Sequence, residues 1–382
     1  MVKRDEPSMT TQKPILSPAG IVIILLTLLY ATILISGYDG NPALRGDCPY
    51  YYATALSLLS DGDIYLANQL TGNPEKHSNE VSLDRNGNLV PKHNIVLAIF
   101  SLPLVALMGE QGAVAFNFFQ ILLCVHLLYL WISSYCSPGV SLVSTLLIGS
   151  VSLLPHYVFN YSQDILATTL LLAAIVVLDL SSTRGDRLII AGLLLGTACV
   201  ARFPYLVFVP PLIILWPFAR PRAWLCFVGG LAIPITLLLV YNTVLFGHPL
   251  VSSYDRIAVF QAGAWQIATQ RSDFSTDFFF TGLVGQILDR DHGLFWTSPI
   301  TLPSFLGFVS LIRKRWRLGA YLAISFLLLY LFFSAYRYWD TSHYGNRFLF
   351  PVIILSGLPL ALLVEELKRW PQSLRRVDLA GT

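Results

Sequence analysis

The run Gly20-Ile21-Val22-Ile23-Ile24-Leu25-Leu26-Thr27-Leu28-Leu29-Tyr30-Ala31-Thr32-Ile33-Leu34-Ile35 has no charged residue and is preceded by Lys3, Arg4 and Lys13. It is too long for the apolar core of a secretory signal, and no small-residue cleavage site follows it, so it reads as an uncleaved first membrane span. Nine further runs are long enough, or nearly so, to cross the hydrocarbon: Gly112–Ser134, Gly139–Pro155, Asp164–Ser181, Leu188–Ala201, Phe203–Phe218, Ala223–Leu245, Ser298–Ile312, Leu318–Ala335 and Phe348–Val364. The expected fold is an all-α polytopic bundle of about 10 spans, each satisfying its own backbone polar groups.

Composition agrees. Of 382 residues 55% are hydrophobic and only 12% charged, with a mean hydropathy of +0.62, whereas soluble domains carry about 25% charge. No repeat and no Ser- or Pro-rich linker divides the chain, so it reads as one domain over 1–382. A net charge of +3 without a basic stripe excludes nucleic acid as a partner. The five cysteines, Cys48, Cys124, Cys136, Cys199 and Cys226, are scattered and form no C-x-x-C, which speaks against zinc or redox chemistry.

The run Asn94–Met108 would reach only about 22 Å as a helix. If it does not cross, the joints at 1–19, 135–138, 182–187, 219–222 and 313–317 and the tail from Glu365 share one side and hold well over half of the lysines and arginines, Arg313-Lys314-Arg315-Trp316-Arg317 being the densest cluster. The positive-inside rule then makes both termini cytoplasmic and lays Asn94–Met108 on or into the outer face. The outward segments are about 38–93, 155–163, 246–297 and 336–347. They carry most of the acids, among them Asp39, Asp47, Asp61, Asp63, Asp164, Asp289, Asp291 and Asp340. Within the first, Pro49–Leu59 reads as an amphipathic surface helix closed by Ser60-Asp61-Gly62, and Asn86-Gly87-Asn88 as a turn.

Several pieces, in order and on one side of the membrane, resemble the GT-C superfamily of glycosyltransferases, in particular relatives of protein mannosyltransferases and lipid A aminoarabinose transferases. They are Gly46-Asp47-Cys48-Pro49-Tyr50 with Ser57–Asp63, Lys92-His93-Asn94, Asn160-Tyr161-Ser162-Gln163-Asp164, Arg202-Phe203-Pro204, Tyr241-Asn242 with Phe246–Leu250 and Tyr254, His292–Pro299, and Tyr344-Gly345-Asn346-Arg347-Phe348. Two positions depart from that pattern. Cys48 stands where many members have a second acid, and His93 follows Lys92 where a proline is usual.

The resemblance implies an enzyme of an envelope membrane, the bacterial inner membrane, working on its outer face. Its donor would be a sugar on a polyprenyl phosphate, its surroundings membrane lipid, and its acceptor a glycan, lipid or protein. Transfer with inversion needs a base for the acceptor hydroxyl and cations for the departing phosphate. Asp47 is the candidate base, with Asp164 as the second carboxylate; the alternative for each is a helix N-cap. Arg202, Arg347 and Lys92 are the candidate phosphate ligands, Arg202 having the alternative of an interfacial anchor. Tyr50, Tyr254 and His292 are candidate substrate contacts, or with His343 and Asp291 loop residues in water. A divalent metal is compatible with such a site and not required by it. Two rival classes are a polymerase or ligase using polyprenyl-linked donors, and a secondary transporter, which would show mid-membrane charges and repeated halves.

Overall fold

The computed structural model describes residues 17–36, 44, 46–181, 185–216, 221–268, 273–340 and 345–380, with the backbone alone at 181 and 370–380. Lys3, Arg4, Lys13, Asp39, His343 and Tyr344 lie outside the described residues. The chain runs α1 (Pro18–Ser36), α2 (Cys48–Ser60), β1 (Val81–Leu83), β2 (Leu89–Pro91), α3 (Val96–Met108), α4 (Glu110–Ser133), α5 (Pro138–Ser150), α6 (Gln163–Ser181), α7 (Gly185–Ala201), α8 (Val209–Leu215) and α9 (Pro221–Phe246). It continues with β3 (Ala258–Gln261), β4 (Ala264–Ile267), α10 (Thr276–Leu288), α11 (Leu294–Thr297), α12 (Thr301–Lys314), α13 (Trp316–Ser334), α14 (Phe350–Leu355) and α15 (Gly357–Ala380).

All ten apolar runs contain helix. Six stretches are long and apolar enough to cross a membrane: α1, α4, most of α6, α9, α13 and Arg347–Arg369. The runs at α5, α7, α8 and α12 make helices of 13, 17, 7 and 14 residues, the short α8 being extended at its start by the 3₁₀ turn Phe203–Phe208. The ambiguous run becomes α3, 13 residues long, joined to α4 only through Gly109 at φ +59°. A Cβ on Gly112 would strike the Leu104 carbonyl, so α3 and α4 form a tight hairpin.

The all-α reading needs a correction. Two antiparallel hairpins, β1–β2 and β3–β4, stand in the long segments 38–93 and 246–297, the first turning at the expected Asn86-Gly87-Asn88 with Gly87 at φ +88°. They join those two segments into one lobe. The Asn79 N–H donates to the Ala258 carbonyl at 2.8 Å, the Ser82 hydroxyl to the Ser253 carbonyl at 2.7 Å, and Arg256 Nε to the Leu83 carbonyl at 2.7 Å. Ala53 of α2 packs with Leu66, Val81, Leu83, Leu89 and Ala258 as the core of that lobe.

The basic joints gather at the other end of the bundle. Buried Asp179, about 22 Å along α6 from Asp164, accepts from Trp131 Nε1 at 2.9 Å and from the Tyr135 hydroxyl, and pairs with Arg315 at 3.2 Å. Glu365 accepts from the Ser137 N–H and hydroxyl at 3.1 and 2.8 Å, and Lys314 pairs with Glu366 at 3.3 Å. Three of the joints read from charge as sharing one side, 135–138, 313–317 and the segment from Glu365, therefore lie at one end of the bundle.

α7 and α9 approach through glycines. A Cβ at Gly192 would meet the Phe227 carbonyl and one at Gly230 the Ile189 carbonyl, whereas Gly229, one residue away, has open space. Small residues let helices in lipid pack backbone to backbone, where dispersion replaces the missing hydrophobic drive. Gly230→Ala should therefore destabilise the protein by about 1–3 kcal/mol through overpacking, while Gly229→Ala should leave it unchanged. Thermal unfolding in detergent reads the difference, and equal midpoints for the two variants would refute the close approach.

Candidate active site

Gly46, at φ +61°, turns the chain into α2. The Asp47 carbonyl accepts from the Tyr50 and Tyr51 N–H groups at 3.1 and 3.3 Å, so the backbone starts the helix, but the side chain makes no capping hydrogen bond. Its carboxylate is turned to other partners. Oδ1 lies 3.5 Å from His93 Nε2, and Oδ2 lies 3.2 Å from Arg347 Nη2. The capping alternative thus describes the backbone of Asp47 and not its carboxylate.

His93 follows β2 after one residue, Lys92. Its Nδ1 is 2.7 Å from the Tyr254 hydroxyl and its ring packs against Tyr51, with centroids 4.9 Å apart. With a carboxylate facing Nε2, the arrangement assigns the ring proton to Nε2 and makes Nδ1 the acceptor of the Tyr254 O–H. Burial pushes the His93 imidazole down against the pull of Asp47, which favours the neutral ring. Burial pushes the Asp47 carboxyl up, but His93, then Arg347 and Lys92, outweigh it and hold the group well below the usual carboxylate range.

The second carboxylate is engaged elsewhere. Asp164, in the first turn of α6, receives Arg202 Nε at 2.6 Å and Nη2 at 2.5 Å on Oδ1, while Oδ2 accepts from the Ser162 hydroxyl at 3.0 Å. Both members of the pair are nearly sealed, their side chains 4% and 13% exposed. Asn94 holds this corner to the rest: its Nδ2 donates to the carbonyls of Val200 and, at 2.8 Å, Ala201, and its own carbonyl accepts from Gln163 Nε2 at 2.7 Å. One asparagine therefore fixes the start of α3, the start of α6 and the end of α7, and with them His93, Asp164 and Arg202.

Arg347 enters from the other end of the chain. The preceding Asn346 accepts from the Phe348 N–H at 3.0 Å and donates to buried Gln286 at 3.2 Å, which seats the turn on α10. Phe348 lies between the two arginines, its centroid 5.8 Å from the Arg202 guanidinium carbon and 5.4 Å from that of Arg347, and it stacks on Phe333 and packs against Tyr336. Cations this close to an aromatic face keep their charge at modest desolvation cost.

Five of the eight residues singled out from the sequence converge here: Asp47, Asp164, Arg202, Tyr254 and Arg347. Lys92 is adjacent but held at 2.7 Å by Glu80 and at 2.8 Å by the Asn79 carbonyl. The Tyr50 hydroxyl instead meets His77 Nδ1 at 3.2 Å, inside the lobe. His292 is paired with Asp289 at 3.2 Å and packs against Trp339. His93, Tyr51, Phe348 and Tyr336 are site residues that the sequence reading left unassigned. Among the described residues no three His, Cys, Asp or Glu side chains come together to hold a metal ion.

Away from these charged groups, none of which lines it, an apolar cavity of about 350 Å³ is bounded by Leu349 and Val352, by Phe305 and Phe308 of α12, and by Phe326 and Tyr330 of α13. The site is thus a buried polar cluster of two carboxylates and two guanidinium groups.

No protein family is matched by the sequence, and no curated protein resembles it at the sequence level. Solved structures do resemble it in fold. ArnT from Cupriavidus metallidurans superposes with a TM-score of 0.59 in the apo state and 0.53 bound to undecaprenyl phosphate, at 13% identity over 95% and 94% of this chain. The oligosaccharyltransferase from Archaeoglobus fulgidus, in the apo form, gives 0.54 at 13% identity over 95% of this chain. Both proteins are GT-C glycosyltransferases. The aligned region covers 64%, 63% and 52% of those chains, so this chain spans less than two thirds of their length.

Proposed function

We propose that this chain is an integral-membrane glycosyltransferase that moves a sugar from a polyprenyl-phosphate donor to an acceptor hydroxyl on the outer face of the membrane, with inversion and with Asp47 as base. The observation that carries the reading is the Asp47 carboxylate standing beside Arg347 where the outward segments meet. The shared fold with ArnT, one structure of which is bound to undecaprenyl phosphate, supports a lipid-linked donor.

In this reaction the acceptor oxygen attacks the anomeric carbon opposite the phosphate. The bond from that carbon to the phosphate oxygen breaks, its electron pair stays on the phosphate, and the acceptor proton passes to Asp47. Base catalysis of this kind contributes roughly 10²–10⁴-fold. Arg347, and Arg202 through the face of Phe348, supply the cationic surroundings that a departing phosphate requires. Asp164 acts by holding Arg202. Lys92 joins the phosphate ligands only if its pair with Glu80 opens. Tyr254 and Tyr336 offer aromatic faces for a sugar ring.

The experiment is reconstitution in vesicles with labelled undecaprenyl-phosphate sugars, following loss of label from the lipid. An Asn73→Cys reporter in the first outward segment gives the orientation of the inserted protein. Expected is consumption of at least one such donor, confined to molecules whose Asn73→Cys faces the donor leaflet. Failure to consume any of a panel of hexosyl and pentosyl donors with and without added divalent metal, or turnover with the reporter on the opposite side, would remove the reading.

A further inference from the structure

Three cations belong to or border the cluster, and they are unequally committed. Arg202 donates a hydrogen bond to Asp164 from Nε at 2.6 Å and sets Nη2 at ion-pair distance from the same oxygen, though Nη2 makes no hydrogen bond among the described residues, and Lys92 is bonded to Glu80 and to the Asn79 carbonyl. Arg347 has one carboxylate contact, Nη2 to Asp47 Oδ2 at 3.2 Å, and its buried Nε has no hydrogen-bond partner among the described residues. Its side chain is also the most open of the three, 27% exposed against 12% and 13%. A guanidinium group prefers to serve an oxyanion through two parallel hydrogen bonds, and here it makes a single long contact with donors to spare.

Resting on the donor reading above, we propose that Arg347 is a shared ligand: Asp47 holds it in the free protein, and the donor's phosphate takes it over on binding, which releases Asp47 to accept the acceptor's proton. A carboxylate braced by a guanidinium group is a poor base, because the cation stabilises the charge that protonation would remove. The phosphate is the stronger claimant. In the donor it is a diester bearing one negative charge, and as the sugar leaves, a second charge develops on the oxygen that departs. The demand on Arg347 is therefore greatest when the proton must move. It follows that the donor binds before Asp47 becomes competent, and that a bare acceptor meets a base still in its ion pair.

Undecaprenyl phosphate binding to purified protein in nanodiscs, measured for the wild type, Asp47→Asn, Arg347→Ala and the double variant, tests the exchange without relying on turnover. Removing the competing carboxylate should tighten binding about 3- to 10-fold, the share of Arg347 that Asp47 sequesters. Arg347→Ala should weaken binding, and in that background Asp47→Asn should have no further effect. Arg347→Lys, which keeps the charge, serves if the alanine variant does not fold, and there the gain from Asp47→Asn should be reduced. Equal tightening with Arg347 present and with it replaced would mean simple charge repulsion and overturn the exchange, as would no tightening at all. If the wild type itself does not bind undecaprenyl phosphate, the donor reading fails, and the exchange with it.

Discussion

Replacing Arg202 with alanine should remove about 3–5 kcal/mol of stability, because it leaves the Asp164 carboxylate buried without its cation. Asp164 is 4% exposed, and its remaining side-chain partner is the Ser162 hydroxyl. Arg202→Lys should lose less, since it keeps the charge while giving up the second nitrogen at Oδ1. The combination of Arg202→Met with Asp164→Leu should recover most of the loss, since a buried pair replaced by apolar groups is often neutral or better. Unfolding midpoints in detergent, measured on all three, decide it. An alanine variant that unfolds at the wild-type temperature would show that the pair contributes nothing.

The same series separates structure from chemistry. If the apolar double variant is folded and still transfers sugar at the wild-type rate, Arg202 is a strut and leaves the set of donor ligands. If it is folded and inactive, the charge itself serves the phosphate.

The apolar runs were legible because a membrane span needs no periodicity, only length and the absence of charge. The hairpins were not. Val81-Ser82-Leu83 and Leu89-Val90-Pro91 are buried at every position, so the alternation that marks a half-exposed strand is missing, and three residues are too few to stand out. Helix ends were also hidden. The run Gly139–Pro155 breaks at Ser150, where the Ser152 hydroxyl bonds back to the Ile148 carbonyl and a 3₁₀ turn begins at Leu154.

The site was legible in its members and opaque in its pairings. Asp47 stood out through its place after the first span, but nothing local links it to Arg347 at the far end of the chain, and only the folded bundle makes them neighbours. Tyr50 and Tyr51 show the limit at finer scale. Successive helical residues point about 100° apart, so one of them faces His93 and the other His77, and the choice depends on how α2 is seated on α3. His93 was visible only as a departure from a family pattern. Its meaning lies in a partner, Tyr254, carried by the segment between α9 and α10.

Asp47→Asn should leave the protein folded and abolish transfer. The helix start does not depend on the side chain, which makes no capping bond, so the stability term that would confuse the result is small. Asparagine keeps the shape and can still contact Arg347, but it cannot take a proton, and a contribution of roughly 10²–10⁴-fold should vanish. Asp61→Asn, at the other end of α2, is the matched control: its carboxylate accepts from Asn68 and Gln69 on the surface and should be dispensable. The expected result is wild-type expression for both, near-normal transfer for Asp61→Asn, and at most about a hundredth of the rate for Asp47→Asn. If Asp47→Asn kept more than about a tenth of the rate, the loss would fall short of base catalysis. Asp47 would then leave the mechanism.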